Sequence, residues 1–187
     1  MSGAAGRLGQ LWRALSGRVS ATDEDLARRS LPPAEYALYA RMPRRDRRHC
    51  LDVHARLIAA GVDDPLLLRA ALFHDTGKVD PRGRPVPLLW YGGLVVFKRL
   101  WPRAYARLAA SPRSWRRFFF YYAHHGPLGA ELARAAGSPP EIQAILRHYH
   151  DDAPAGRAAI LKRADEGLEV RSQESGVRIQ IFQTSDV

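Results

Sequence analysis

Apolar side chains recur at three- and four-residue intervals along almost the whole chain. That is the period of an α-helix, and it limits the fold more than any other feature of the sequence. In RRDRRHCLDVHARLIAAG the apolar positions 53, 57 and 60 share a face, and Gly61 closes the run as a helix C-terminus does. PPAEYALYARM opens on prolines, which suit a first helical turn. DDPLLLRAALFHDTG has an aspartate cap, Pro65 near the first turn and Gly77 at its end. SPRSW from Ser111 and SPPE from Ser138 read as helix starts, the second as a capping box of Ser138 and Glu141. A final helix is predicted over about 155–168. Only VRIQIF, 177–182, alternates as a strand does, within a polar tail.

The expected fold is therefore all-α: a compact bundle of short helices, interrupted by a segment at about 80–110 and followed by a short extended tail. With 187 residues, one domain is the natural size. Three parts are expected: a basic amphipathic helix at 1–20, a helical domain at 21–170 and a polar tail at 171–187. In the first part Leu8, Leu11, Trp12 and Leu15 fall on one face, with Arg7, Arg13 and Arg18 elsewhere. Such a helix either packs on its own domain or seeks a membrane surface. The longest apolar run, VPLLWYGGLVVF at 86–97, is too short to span a bilayer as a helix. The single cysteine, Cys50, excludes an intramolecular disulfide and fits a reducing, cytoplasmic setting, with peripheral membrane contact as a further expectation. Lysine and arginine exceed aspartate and glutamate by 29 to 19, and the only lysines are Lys78, Lys98 and Lys162. A surface so rich in arginine suits phosphate-bearing partners, nucleic acid among them.

The segment ALFHDTGK poses the chemical question, because an apolar helix ends on two adjacent ionisable residues, His74 and Asp75. At a helix terminus both can reach one ion; an imidazole nitrogen and a carboxylate oxygen are good ligands for a borderline divalent metal. An aspartate at that end opposes the helix dipole, which a cation would offset. His49 lies one helix earlier on an apolar face, and Asp165 stands on the stripe of Leu161 and Leu168, where an unpaired charge is costly. Two histidines and two aspartates aimed inward make a coherent ligand set for one metal. His54 reads as structural. Lys78 stands where a cation could meet a phosphoryl oxygen or complement the helix end.

Taken in order, RHCLDV, LLLRAALFHDTGK, HHGPLGAELA, AILRHYH and LKRADE resemble the HD-domain, HDIG-type metal-dependent phosphohydrolase superfamily over about residues 40–168. The resemblance implies an HD-domain-like helical bundle in which His49, His74, Asp75 and Asp165 bind a divalent metal (manganese, iron, magnesium, zinc, cobalt or nickel). In members with a second ion, further histidines bind it; here those would be His125 and His148, with His150 as the alternative, because Tyr149 splits a histidine pair that the family usually keeps adjacent. No glutamate follows the HD pair by three residues, which argues against a deoxynucleotide 5′-nucleotidase.

The implied activity is hydrolysis of a phosphomonoester or phosphodiester of a small metabolite, a nucleotide or cyclic nucleotide being favoured. Asp75 and Lys78 would be catalytic, with Lys78, Arg82 and Arg84 neutralising the transferred group. Asp80 would orient water or simply be exposed. Residues 80–110, with Trp90, Tyr91 and Trp101, would form a lid, a membrane contact or another packed helix pair. The alternatives from other classes are a metal-binding regulatory module without turnover, and a basic protein that associates with RNA or membrane.

Overall fold

Ser20 starts the first helix among the described residues, α1 (Ala21–Ser30), through a reciprocal capping box with Asp23. The Ser20 hydroxyl accepts the Asp23 N–H at 3.1 Å, and the Asp23 carboxylate accepts the Ser20 N–H at 2.9 Å. In the computed structural model, which describes residues 18–86, 88–168 and 170, eight more helices follow among the described residues. They are α2 (Pro33–Ala40), α3 (Arg44–Ala59), α4 (Pro65–Phe73), α5 (Leu88–Leu100), α6 (Pro102–Ala109), α7 (Arg117–Ala135), α8 (Pro140–His148) and α9 (Gly156–Asp165). Short 3-10 turns at Thr76–Lys78 and Ser114–Arg116 complete the described helical structure. The only extended pairing described is the isolated bridge between Val79 and Pro85. The fold is thus the all-α bundle that the sequence predicts. The predicted N-terminal helix, with Leu8 and Trp12, and the VRIQIF tail lie outside the described residues.

Local signals explain most helix ends. Asp64 caps α4 by accepting the N–H groups of Leu66 and Leu67, and Pro65 takes the first helical position. Gly61 follows α3 with φ +76°, a conformation that favours glycine. Two predicted starts are corrected. α7 begins at Arg117, because the residues after Ser111 form a bend and then the 3-10 turn. α8 has no capping box: Pro139 is its N-cap residue, and the Ser138 hydroxyl instead donates to Glu35 at 2.7 Å. Glu35 is buried and also takes a two-pronged bond from Arg69, so it attracts Ser138 away from the helix end. The last helix also stops earlier than predicted, at Asp165, and Gly167 follows with φ +71°.

α4 is apolar on nearly every side and runs through the centre of the bundle. Leu67, Ala70, Ala71, Leu72 and Phe73 are wholly buried among Leu51, Val53 and Leu57 of α3, Ala130 and Ala133 of α7, Ile142 and Leu146 of α8, and Leu161 and Ala164 of α9. A second, smaller cluster joins Val86, Leu94, Tyr105, Ala109 and Phe119. It shows that the 80–110 segment is a helix pair packed against the first half of α7.

Gly77 sets how closely α7 approaches the end of α4. A β-carbon at this position would lie 2.1 Å from the carbonyl oxygen of His125 and 2.8 Å from the amide nitrogen of Gly129. Only a residue without one allows the two backbones to meet, and that contact brings His125 beside the HD pair.

Candidate metal centre

Three chain segments carry the centre of the site. His49 projects from the middle of α3, His74 and Asp75 sit where α4 ends, and Asp165 is the last residue of α9. His49, His74 and Asp75 each offer a ligand atom within 4.8 Å of the others, so the group could hold a metal ion. The Asp165 Oδ1 atom lies 2.7 Å from His49 Nε2 and 3.6 Å from His74 Nε2. The four residues that the sequence pattern singled out therefore converge.

The hydrogen bonds of His74 fix what its other nitrogen offers. Its Nδ1–H donates to the carbonyl of Ala71 at 2.9 Å, which leaves Nε2 as a lone pair in the neutral ring. That nitrogen is buried without a hydrogen-bond partner, and its closest polar neighbours are Asp75 Oδ1 at 3.5 Å and Asp165 Oδ1 at 3.6 Å. Asp75 Oδ1 is likewise buried and unpartnered. Lone pairs facing lone pairs away from water are costly. A cation, whether a proton or a metal ion, resolves the conflict, and two imidazole nitrogens with carboxylate oxygens suit a borderline divalent metal.

The electrostatic surroundings of each group agree with that charge pattern. Burial opposes charge on His74, yet the acidic groups of Cys50, Asp75 and Asp165 around it hold its pKa well above the histidine range. Burial also opposes ionisation of Asp75, and is outweighed by Lys78, His74, His49 and His125, so its carboxyl stays below the usual range. Asp165 is lowered in the same way, against burial, by its bond to His49 and by the nearby charge of His74 and His49. Lys78 Nζ bonds Asp75 Oδ2 at 2.7 Å, which places the predicted lysine in the site.

His125 reaches the same carboxylate from α7, its Nε2 being 3.6 Å from Asp75 Oδ1. Its Nδ1–H donates to the carbonyl of Tyr122, so Nε2 again presents a lone pair. The partner of that nitrogen is His150 Nε2 at 2.7 Å, and His148 does not take part. His148 is exposed and bonds Asp151 through Nδ1 at 2.8 Å. The structure thus brings the alternative, His150, to His125 and leaves the first choice, His148, apart from it. The buried stripe of α8 is Ile142, Ile145, Leu146 and Tyr149, so His148 turns outward, while His150 lies past the helix end and folds back. With its inner nitrogen turned to His125, His150 is drawn down by desolvation to about 4, although the residue as a whole is exposed. Desolvation and the charge of Lys78 also put His125 well below its usual value.

Other assignments move. Arg82 and Arg84 line a cavity of about 560 Å³ with Asp80, Trp115, Arg117 and Tyr121; none of the site's histidines lines it. Asp80, expected to orient water or to be exposed, is buried and serves structure: it accepts the N–H groups of Arg82 and Arg84 and pairs with the Arg84 and Arg117 side chains. His54 is buried, in keeping with a structural role.

Two contributors escaped the sequence. Tyr149 is fully buried with an unpartnered hydroxyl, and its ring lies 5.5 Å from that of His74 and 5.9 Å from that of His125. Asp46, one turn before His49, is buried and raised in pKa by desolvation and by the charge of Asp75. Its spacing from His49 could have pointed to it, whereas Tyr149 looked only like an interruption between histidines.

No helix among the described residues is long and apolar enough to cross a membrane. No family model matches the chain, and neither a curated protein nor a solved structure matches it.

Proposed function

We propose that the protein is a metal-dependent phosphohydrolase acting on a phosphoester of a small metabolite, a nucleotide or cyclic nucleotide being the favoured class. The observation that carries this reading is the set of buried, unpartnered lone pairs of His74 and Asp75, facing His49 and Asp165. These four residues would hold a divalent ion. When bound, such an ion supplies Lewis acidity to a phosphoryl oxygen and to water. His125 and His150 are the groups for a second ion; without one, the protonated Nε2 of His150 donates to His125.

The chain's own residues do the remaining work. Asp75 presents one oxygen to His74 and the other to Lys78, so the carboxylate is held in a fixed orientation. The Lys78 ammonium adds positive charge where phosphoryl oxygens would gather. His49 keeps about a third of its side chain exposed beside buried His74 and Asp75, which makes its side of the site the approach from water. His150, exposed outside and bonded to His125 inside, exchanges a proton between the site and solvent.

The test is metal analysis of the purified protein, followed by a screen of phosphomonoesters and phosphodiesters with manganese, iron or magnesium. Bound metal and turnover that are both lost in Asp75→Asn are expected. Metal that binds normally, with no hydrolysis of any substrate, would leave a regulatory metal-binding module.

A further inference from the structure

The positive charge of this chain is concentrated in one region. Between Asp80 and Glu131 there is no acidic residue, and that stretch holds nine lysines and arginines. The other 20 are balanced by 19 acids, so nearly all of the net charge of +10 comes from residues 81–130. Lys98, Arg99, Arg103, Arg107, Arg113 and Arg116 are exposed, and none forms an ion pair among the described residues.

The same region displays apolar surface. Val96 and Leu100, one turn apart on α5, are 55% and 58% exposed, and Trp101 and Trp115 are 57% and 53% exposed. The two tryptophans are linked through one row of four aromatic rings. Trp101 packs on Phe97 at 5.6 Å, Trp115 on Phe119 at 5.8 Å, and Phe97 meets Phe119 at 5.8 Å. Phe119 belongs to the second core, so the platform is anchored.

We propose that this face docks on the anionic leaflet of a phospholipid bilayer. Tryptophan has an amphipathic ring that settles at headgroup depth. Val96 and Leu100 gain by leaving water for the acyl boundary, and the surrounding cations are attracted by acidic headgroups. The chemistry disfavours other occupants. A single-stranded RNA would use the tryptophans for stacking and the cations for phosphate, but offers nothing to Val96 and Leu100. A second copy placed symmetrically would set the two arginine-rich stretches, neither with an acidic residue of its own, against each other. The proposal does not depend on the metal centre.

The test uses the full chain in flotation with phosphatidylcholine vesicles, with and without phosphatidylglycerol. Wild type should float only with the acidic lipid, and added salt should release it. Trp101→Ala/Trp115→Ala should lower vesicle partitioning by about tenfold or more. Lys98→Gln/Arg99→Gln/Arg103→Gln, which changes exposed side chains that form no ion pair among the described residues, should do the same with an unaltered thermal midpoint, and so covers any folding defect of the tryptophan variant. Flotation of both variants at the wild-type level would overturn the proposal and assign binding elsewhere, for example to residues 1–17. Failure of wild type to float also overturns it, as does binding of a labelled single-stranded RNA by protein that leaves the vesicles in solution.

Discussion

Gly77→Ala tests the close approach of α7 to the end of α4. The added methyl group would sit 2.1 Å from the His125 carbonyl oxygen, 2.9 Å from its carbonyl carbon and 2.8 Å from the Gly129 amide nitrogen, where ordinary contact starts at 3.4 Å. All three are backbone atoms, so no side chain can turn aside, and α7 must back away by roughly an ångström or more. Overpacking of this kind costs about 1–3 kcal/mol, and a purely backbone clash belongs at the upper end. For a domain of this size each kcal/mol moves the thermal midpoint by roughly 2–4 °C, so a fall of about 6–12 °C is expected by far-UV circular dichroism. The same displacement takes His125 away from Asp75, now 3.6 Å distant, and should weaken metal binding measured by titration calorimetry. Gly129→Ala is the control. Its β-carbon would meet nothing closer than 3.6 Å, and alanine is the better residue inside a helix by about 0.5–1 kcal/mol. A Gly77→Ala protein that melts and binds metal as wild type does, or a Gly129→Ala protein that loses as much, would refute the reasoning.

Three further outcomes follow from the site. Saturating divalent metal, at about a hundred times its dissociation constant, should raise unfolding free energy by about 2.7 kcal/mol in wild type and leave Asp75→Asn and Asp165→Asn unmoved, as differential scanning fluorimetry would show. His150→Ala should alter metal content or turnover, whereas His148→Ala, at an exposed pair with Asp151, should change neither; equal effects of the two would reverse their assignment. Asp80→Asn should cost about 2–3 kcal/mol at pH 7 in urea unfolding. Although burial opposes it, the bonds and charges of Arg84 and the Arg82 N–H hold the Asp80 carboxyl below its usual range. That stabilisation is complete above the ordinary aspartate pKa and is lost as pH falls through the lowered value, so the gap between variant and wild type should close in acid.

The convergence of His49, His74, Asp75 and Asp165 was legible because each breaks an apolar periodicity, and a charge on a buried stripe needs a partner. The choice between His148 and His150 was not, because it turns on where α8 ends, and side chains swing by ~100° per residue at that point. Ser138 and Glu141 match a capping pattern, yet a buried glutamate 103 positions away in sequence claims the serine. Local chemistry cannot report such a competitor. Arg82 and Arg84 looked close to the HD pair in sequence, but a tight turn centred on buried Asp80 commits Arg84 to that carboxylate. α1 was missed although SATD carried its capping box in plain view.

The 2.7 Å pair between His49 and Asp165 joins positions 116 apart. Synthesis at about 5–20 residues per second separates their appearance by on the order of ten seconds. During that interval His49, His74 and Asp75 exist without the Asp165 carboxylate, so for the proposed metal a nascent chain would offer only an open, weaker chelate. Under the proposed function, tight metal uptake would mark chains whose Asp165 has docked, and a captured ion would latch α9 to α3.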